Sequence, residues 1–227
     1  MTINSFVFGI RFKNFSIQDK LGSIVDFILD HNEGSFNRDF FDKVGTSLGE
    51  RSLINEETHN KLIFNSENII FDYNVKDDFK KELTQYLDSF DKIILNDLFN
   101  EFNLKQINRF GFVIRTKLKE NDLFLNNIIK SIDKNSCLLG GYSFNYNLTK
   151  KVPYEVKKNH FTEDYENDII SYERFSDSEE INLFLDYQKY FKPSLKVIAD
   201  SIPTFKAFCL SSCKKFENKY LIDGKKK

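Results

Sequence analysis

Tryptophan is absent from this chain, and methionine (1), proline (3), cysteine (3) and glycine (9) are scarce among its 227 residues. Each shortage excludes something. So few prolines and glycines rule out a collagen-like or linker-rich low-complexity chain. The cysteines, Cys137, Cys209 and Cys213, are odd in number and lack zinc-ligand spacing. Reduced thiols are therefore expected, rather than a disulfide scaffold or a zinc site. A formal net charge of −1 lacks the basic excess of a protein built around phosphate backbones. No stretch approaches the roughly 20 apolar residues that a membrane helix needs. The opening MTINSFVFGIRFKNF also lacks the charged segment and long apolar run of a secretory signal. The expectation is a cytoplasmic protein.

What the chain does have is phenylalanine, 25 residues of it, within an apolar fraction of 41%. That is ample for a packed core in a globular domain. The accompanying wealth of Asn, Lys and Ile, with little Ala, is the signature of AT-rich coding. The phenylalanines are therefore read as core material and not as a site.

Hydrophobic period organises the chain. Phe6, Phe8, Ile10 and Phe12 alternate with Val7, Gly9, Arg11 and Lys13, the period of a half-buried strand. A helix opened by Ser16, with Asp19 in its first turn, buries Ile17, Leu21, Ile24, Val25 and Ile28. Residues 32–60 read as loops with one short helix near Phe40. Strands at 61–65 and 68–75 form a hairpin through Ser66-Glu67. The segment Asp77–Phe102 carries the strongest helical stripe, with a break expected near Asn96. A strand at 108–118 follows, with Phe110, Phe112, Ile114 and Leu118 toward the core. Asn121 caps the next predicted helix, and Gly140-Gly141 precedes a strand from Tyr142 to Leu148. A basic stretch (Lys150, Lys151, Lys157, Lys158) gives way to an acidic one, with a strand near 166–174 and another at 181–190. A helix from about Ser194 to Tyr220 starts beside Pro193 and should kink at Pro203.

These elements predict an α+β fold in one domain over residues 1–227, a mostly antiparallel sheet with long helices packed on one face. Halves 1–105 and 106–227 are candidate repeats. Both open on a Phe-Gly strand followed by a helix, and both close on Asp-Tyr before a helix.

Alternation also places charge. With the phenylalanines facing helices, Arg11, Lys13, Arg115 and Lys117 share the opposite sheet face with Asp72 and Asp186. Gly9 and Gly111 leave that face shallow, as at a cleft floor. The arrangement has two explanations. One is an ion-pair ladder on a solvated sheet face. The other is a recognition surface whose guanidinium forks take a carboxylate or phosphate from a partner.

Catalytic signatures are missing. His31, His59 and His160 sit in polar loop sequence without a second ligand at metal spacing. Cys209 and Cys213 fit small core residues of the last helix. Glu155-Val156-Lys157 matches a nuclease Glu-x-Lys fragment, a pattern common by chance. The acidic stretch lacks the glycine and periodic aspartates of a calcium loop. No phosphate-binding glycine-rich motif, nucleophile elbow or kinase signature is present. No catalytic residue, metal ligand or cofactor is assigned.

Four short motifs carry a resemblance: Arg11-Phe12, Arg109-Phe110-Gly111-Phe112, Leu185-Asp186 and Phe216-Glu217. In these the chain resembles a sporadically distributed family of uncharacterised bacterial proteins of similar length. It departs from the family in having two residues between Phe112 and Arg115, with no Tyr-Ile-Asn after them. The resemblance implies a bacterial or phage origin and association with mobile or defence gene clusters, and it supplies no reaction.

The functional expectation is a non-catalytic binding protein that engages another protein through the Arg11/Arg115 face or an exposed long-helix face, with an antitoxin-like or defence-linked role implied by the resemblance. The first alternative is a metal-dependent nuclease or hydrolase using Glu155, Lys157 and carboxylates of the acidic stretch. The second is a small-ligand site between sheet and helices. Nucleic acid is a less favoured partner, and no membrane is involved.

Overall fold

The computed structural model describes residues 2–12, 17–31, 35–104, 106–119, 144–152, 164–174, 180–196 and 201–218. They form a mixed α+β structure around one nine-stranded antiparallel sheet. Its strands are β1 (Thr2–Phe12), β2 (Lys43–Ser47), β3 (Glu50–Ile54), β4 (Lys61–Asn65), β5 (Asn68–Asn74), β6 (Gln106–Lys119), β7 (Phe144–Val152), β8 (Tyr165–Arg174) and β9 (Glu180–Lys196). The order across the sheet is β2-β3-β4-β5-β1-β6-β9-β8-β7. β1 and β6 therefore join the two runs, with Phe8 opposite Phe112.

Among the described residues the helices are α1 (Leu21–Asp30), α2 (starting at Phe79–Ser89) and α3 (Ser201–Phe216). A 3-10 turn at Gln18–Lys20 leads into α1, which buries Leu21, Ile24, Val25 and Ile28 as its spacing predicts. The proposed Ser16 cap lies outside the described residues. Asp78 caps α2, its side chain accepting from the Lys81 N–H at 2.9 Å.

α2 does not break at Asn96. It widens into a π-helical stretch, Phe90–Leu98, and ends in one α turn, Phe99–Glu101. Three consecutive residues, Ile93, Ile94 and Leu95, are buried there, a wider apolar front than a narrow α stripe provides. Among the described residues, no helix is long and apolar enough to cross a membrane.

The core is aromatic. Phe8 packs against Phe71 at 5.3 Å and edge-on against Phe90 of α2 at 5.0 Å and Phe205 of α3 at 5.9 Å. Phe6 meets Phe79, and Phe110 meets Phe205, both edge-to-face. Such tilted ring pairs add about 0.5–1.5 kcal/mol each beyond burial. These contacts explain why Phe6, Phe8, Phe71, Phe110 and Phe205 are fully buried.

Three expectations need correction. The loops predicted over 32–60 contain the hairpin β2–β3, whose only buried side chain is Leu53, so its apolar period is too faint to read. Pro193 does not start a helix but lies within β9. There the register on β6 jumps from Arg109↔Tyr190 to Ile107↔Leu195, and a bulge tolerates a residue without an N–H. Pro203 does not kink α3, because it occupies the first turn, where the missing donor has no intrahelical partner to lose. The helix predicted after Asn121 and the Gly140-Gly141 pair lie outside the described residues.

Candidate functional site

The β1–β6 ladder arranges the sheet face opposite Phe6 and Phe8 into three rows. Arg11 pairs with Arg109, Gly9 with Gly111, and Val7 with Val113. β5 extends the rows on one side with Asn68, Ile70 and Asp72. β9 extends them on the other with Tyr190, Gln188 and Asp186. Side chains two apart share a face, so these rows form one surface, with two arginines at one end and, at the other, two valines flanked by Asp72 and Asp186.

A hollow of about 140 Å³ opens over the glycine row, walled by Arg11, Arg109, Val7, Val113, Ile70 and Gln188. That is close to the ~150 Å³ cavity that accepts benzene. It falls well below the roughly 300–1,000 Å³ of a drug-sized site. The hollow suits one side-chain-sized group. The two glycines create it differently. A Cβ on Gly9 would stand 2.5 Å from the Ile69 carbonyl oxygen, whereas a Cβ on Gly111 would meet nothing within 4 Å.

Two like charges directly opposite on adjacent strands repel each other. Here each arginine is held by a different neighbour. Arg11 forms an ion pair with Glu67. Arg109 lies over the Tyr190 ring, 5.7 Å from its centroid, with Nη1 3.4 Å from the phenol oxygen. Among the described residues, no carboxylate is within ion-pair distance of Arg109. Tyr190 in turn stacks on Tyr165 at 4.5 Å. Its hydroxyl donates to Gln188 Oε1 at 2.9 Å, and Gln188 Nε2 donates to Asp186 Oδ2 at 2.6 Å. A hydrogen-bonded file thus starts at Arg109 of β6 and runs along β9 from Tyr190 to Asp186. Burial raises the Asp186 pKa, opposed by the Gln188 hydrogen bond and the Arg109 charge.

The sequence-derived residues divide between this hollow and its surroundings. Arg11, Asp72, Arg115 and Asp186 all belong to the predicted face, but only Arg11 and Asp186 line the hollow. Arg115 reaches diagonally to Asp72, Nη1 donating to both carboxylate oxygens at 2.9 and 3.0 Å. Lys117 pairs with Glu180 at 2.6 Å. For these two cations the ion-pair ladder describes the geometry. Lys13 lies outside the described residues.

Gln188 and Tyr190 carry no signal in the sequence, and Arg109 stands there only in the Arg109-Phe110-Gly111-Phe112 motif, not among the site residues. Alternation places Arg109 on the right face, but its position opposite Arg11 depends on a register that only the β1–β6 pairing sets.

Other candidates lead away from catalysis. His31 Nε2 lies 3.1 Å from Asp97 Oδ2, tying the end of α1 to α2. His59 occupies a turn at φ 59°. Cys209 and Cys213 are buried free thiols of α3. Glu166 and Asp168 of the acidic stretch pair with Lys215 at 3.0 and 3.5 Å. Glu155, Lys157, His160 and Cys137 lie outside the described residues. Among the described residues, no group of three or more His, Cys, Asp or Glu could hold a metal ion. In the core, Asp91 of the π-helical stretch is only 8% exposed. Its Oδ1 has no hydrogen-bond partner among the described residues.

Compared with known proteins, the chain matches no family model and no curated protein.

Proposed function

We propose that this is a non-catalytic binding protein of the cytoplasm that docks another protein on the sheet face carrying Arg11, Arg109 and Arg115. The observation behind this reading is the in-register pair Arg11 and Arg109 beside a side-chain-sized hollow. Two guanidiniums that line one hollow from adjacent strands offer a carboxylate N–H donors from both sides. The helices' ring contacts to Phe6, Phe8 and Phe110 support a layout in which they cover the other face and leave this one open. The resemblance in the Arg-Phe-Gly-Phe and Leu-Asp strands assigns the partner to a mobile-element or defence setting, with an antitoxin-like role for this chain.

The test is capture of a stoichiometric partner from source cells by wild-type protein and by folded Arg11→Ala and Arg109→Ala variants. Loss of that same partner in both variants supports the reading. Equal capture by all three, or nucleic acid as the bound species, overturns it. So does metal-dependent cleavage that disappears in Glu155→Ala.

A further inference from the structure

The rows over β1 and β6 specify more than a charge. We infer that the hollow seats the C-terminal residue of the partner's chain, its carboxylate between Arg11 and Arg109 and an apolar side chain over Val7, Val113 and Ile70. This rests on the docking reading above and names the part of the partner that anchors it.

Four observations converge on that occupant. Arg11 and Arg109 leave adjacent strands at paired positions and reach apart, to Glu67 on one side and Tyr190 on the other, so both line the hollow and a carboxylate entering between them can accept from each. The charge available is modest. Glu67 already answers Arg11, and Asp186 stands beyond Gln188, which leaves the arginine row suited to one negative charge rather than a phosphate dianion.

Size is the second limit. About 140 Å³ accommodates a single aliphatic residue and is too small to enclose a drug-sized ligand. Finally, a C-terminal residue brings a backbone N–H that must be satisfied once buried. Asp186 meets it, since Gln188 occupies Oδ2 and Oδ1 accepts no hydrogen bond among the described residues. A carboxylate, an amide N–H and a branched apolar group together describe the last residue of a polypeptide. A side-chain Asp or Glu would leave the valine end unfilled.

The experiment titrates N-acetyl-leucine into isotopically labelled full-length protein and follows Gly9 and Gly111 amides and Val7 and Val113 methyls by NMR. Parallel arms use N-acetyl-leucinamide, free leucine and isovalerate. Saturable shifts confined to these groups are expected with N-acetyl-leucine. Binding should weaken by about tenfold or more when the carboxylate is amidated, or when Arg109 is changed to Ala. Gly111→Val has room for its Cβ, so this variant should fold and lose the response.

Equal binding of acid and amide would overturn the inference, as would an undiminished response in Gly111→Val. Tighter binding of free leucine would make the ligand an amino acid, and isovalerate matching N-acetyl-leucine would make it a free carboxylate. Either outcome also overturns it. If N-acetyl-leucine does not bind while partner capture still fails in Arg109→Ala, the docking face stands and this occupant does not. Should capture be indifferent to Arg11 and Arg109 as well, both readings fall.

Discussion

Gly9 and Gly111 stand opposite each other in the β1–β6 ladder, yet only Gly111 has room for a methyl group. The Gly9 position is closed by the backbone of β5, where the Ile69 oxygen would sit 2.5 Å from a new Cβ. A backbone atom in a central strand cannot move aside cheaply. Gly9→Ala should therefore cost about 1–3 kcal/mol, the usual range for overpacking. Gly111→Ala should change stability by no more than about 0.5 kcal/mol. Urea midpoints of the two variants check this, and equal midpoints would contradict the geometry.

Arg115 and Asp72 are each partly exposed, 38% and 28%. Solvent screens a pair of this kind, which limits its worth to about 0.2–1 kcal/mol. A double-mutant cycle with Arg115→Ala and Asp72→Ala should return a coupling energy in that range, falling as salt is raised. Coupling of several kcal/mol would contradict this and mean that the pair is shielded from solvent.

Asp91 supplies a pH signature. Burial pushes its pKa up from 3.8 to about 7, with the Lys206 charge opposing and the Asp88 charge adding to the rise. Because the folded pKa lies above the unfolded one, the native state binds the proton more tightly. The associated stability is complete below about pH 3.8 and is lost as pH rises through about 7. Asp91→Asn stays neutral throughout. The stability of wild type relative to Asp91→Asn should fall across this window by up to about 4 kcal/mol, at 1.36 kcal/mol per pKa unit. Chemical denaturation of both proteins at several pH values measures it, and parallel curves would show that Asp91 is solvated.

The thiols of α3 should be inert. Burial raises the Cys209 pKa strongly, and it pushes Cys213 up to about 12 with help from the Glu217 charge. Since the thiolate is the reactive species, neither should be alkylated by iodoacetamide in native protein at about pH 8. Both should react in denaturant. Peptide mass mapping identifies the modified residues, and native labelling of either one would argue for an exposed α3 face.

Legibility followed depth in the sheet. Phe6, Phe8, Phe110 and Phe112 belong to central strands with one face fully buried, so their alternation survives in the sequence. β2 lies at the sheet edge and β3 beside it, with Leu53 alone buried, so the same rule had nothing to act on. Pro193 misled because its helix-start preference is local, while the bulge that admits it into β9 is created by β6. The site divides in the same way. Arg11 and Asp186 could be assigned a face from period two, but their companions Arg109 and Gln188 become a site only through register. Register is a nonlocal property that one-dimensional spacing does not contain.

The central position of β1 also has a cost in time. Phe8 is flanked by Phe71 on one side and Phe112 on the other. At roughly 5–20 residues per second, several seconds of synthesis separate this strand from its first neighbour, and several more from its second. Until then its row of phenylalanines is unburied and its hydrogen-bonding edges are unpaired. Of the strands that build the hollow, β1 is thus the one that must wait for both of its neighbours.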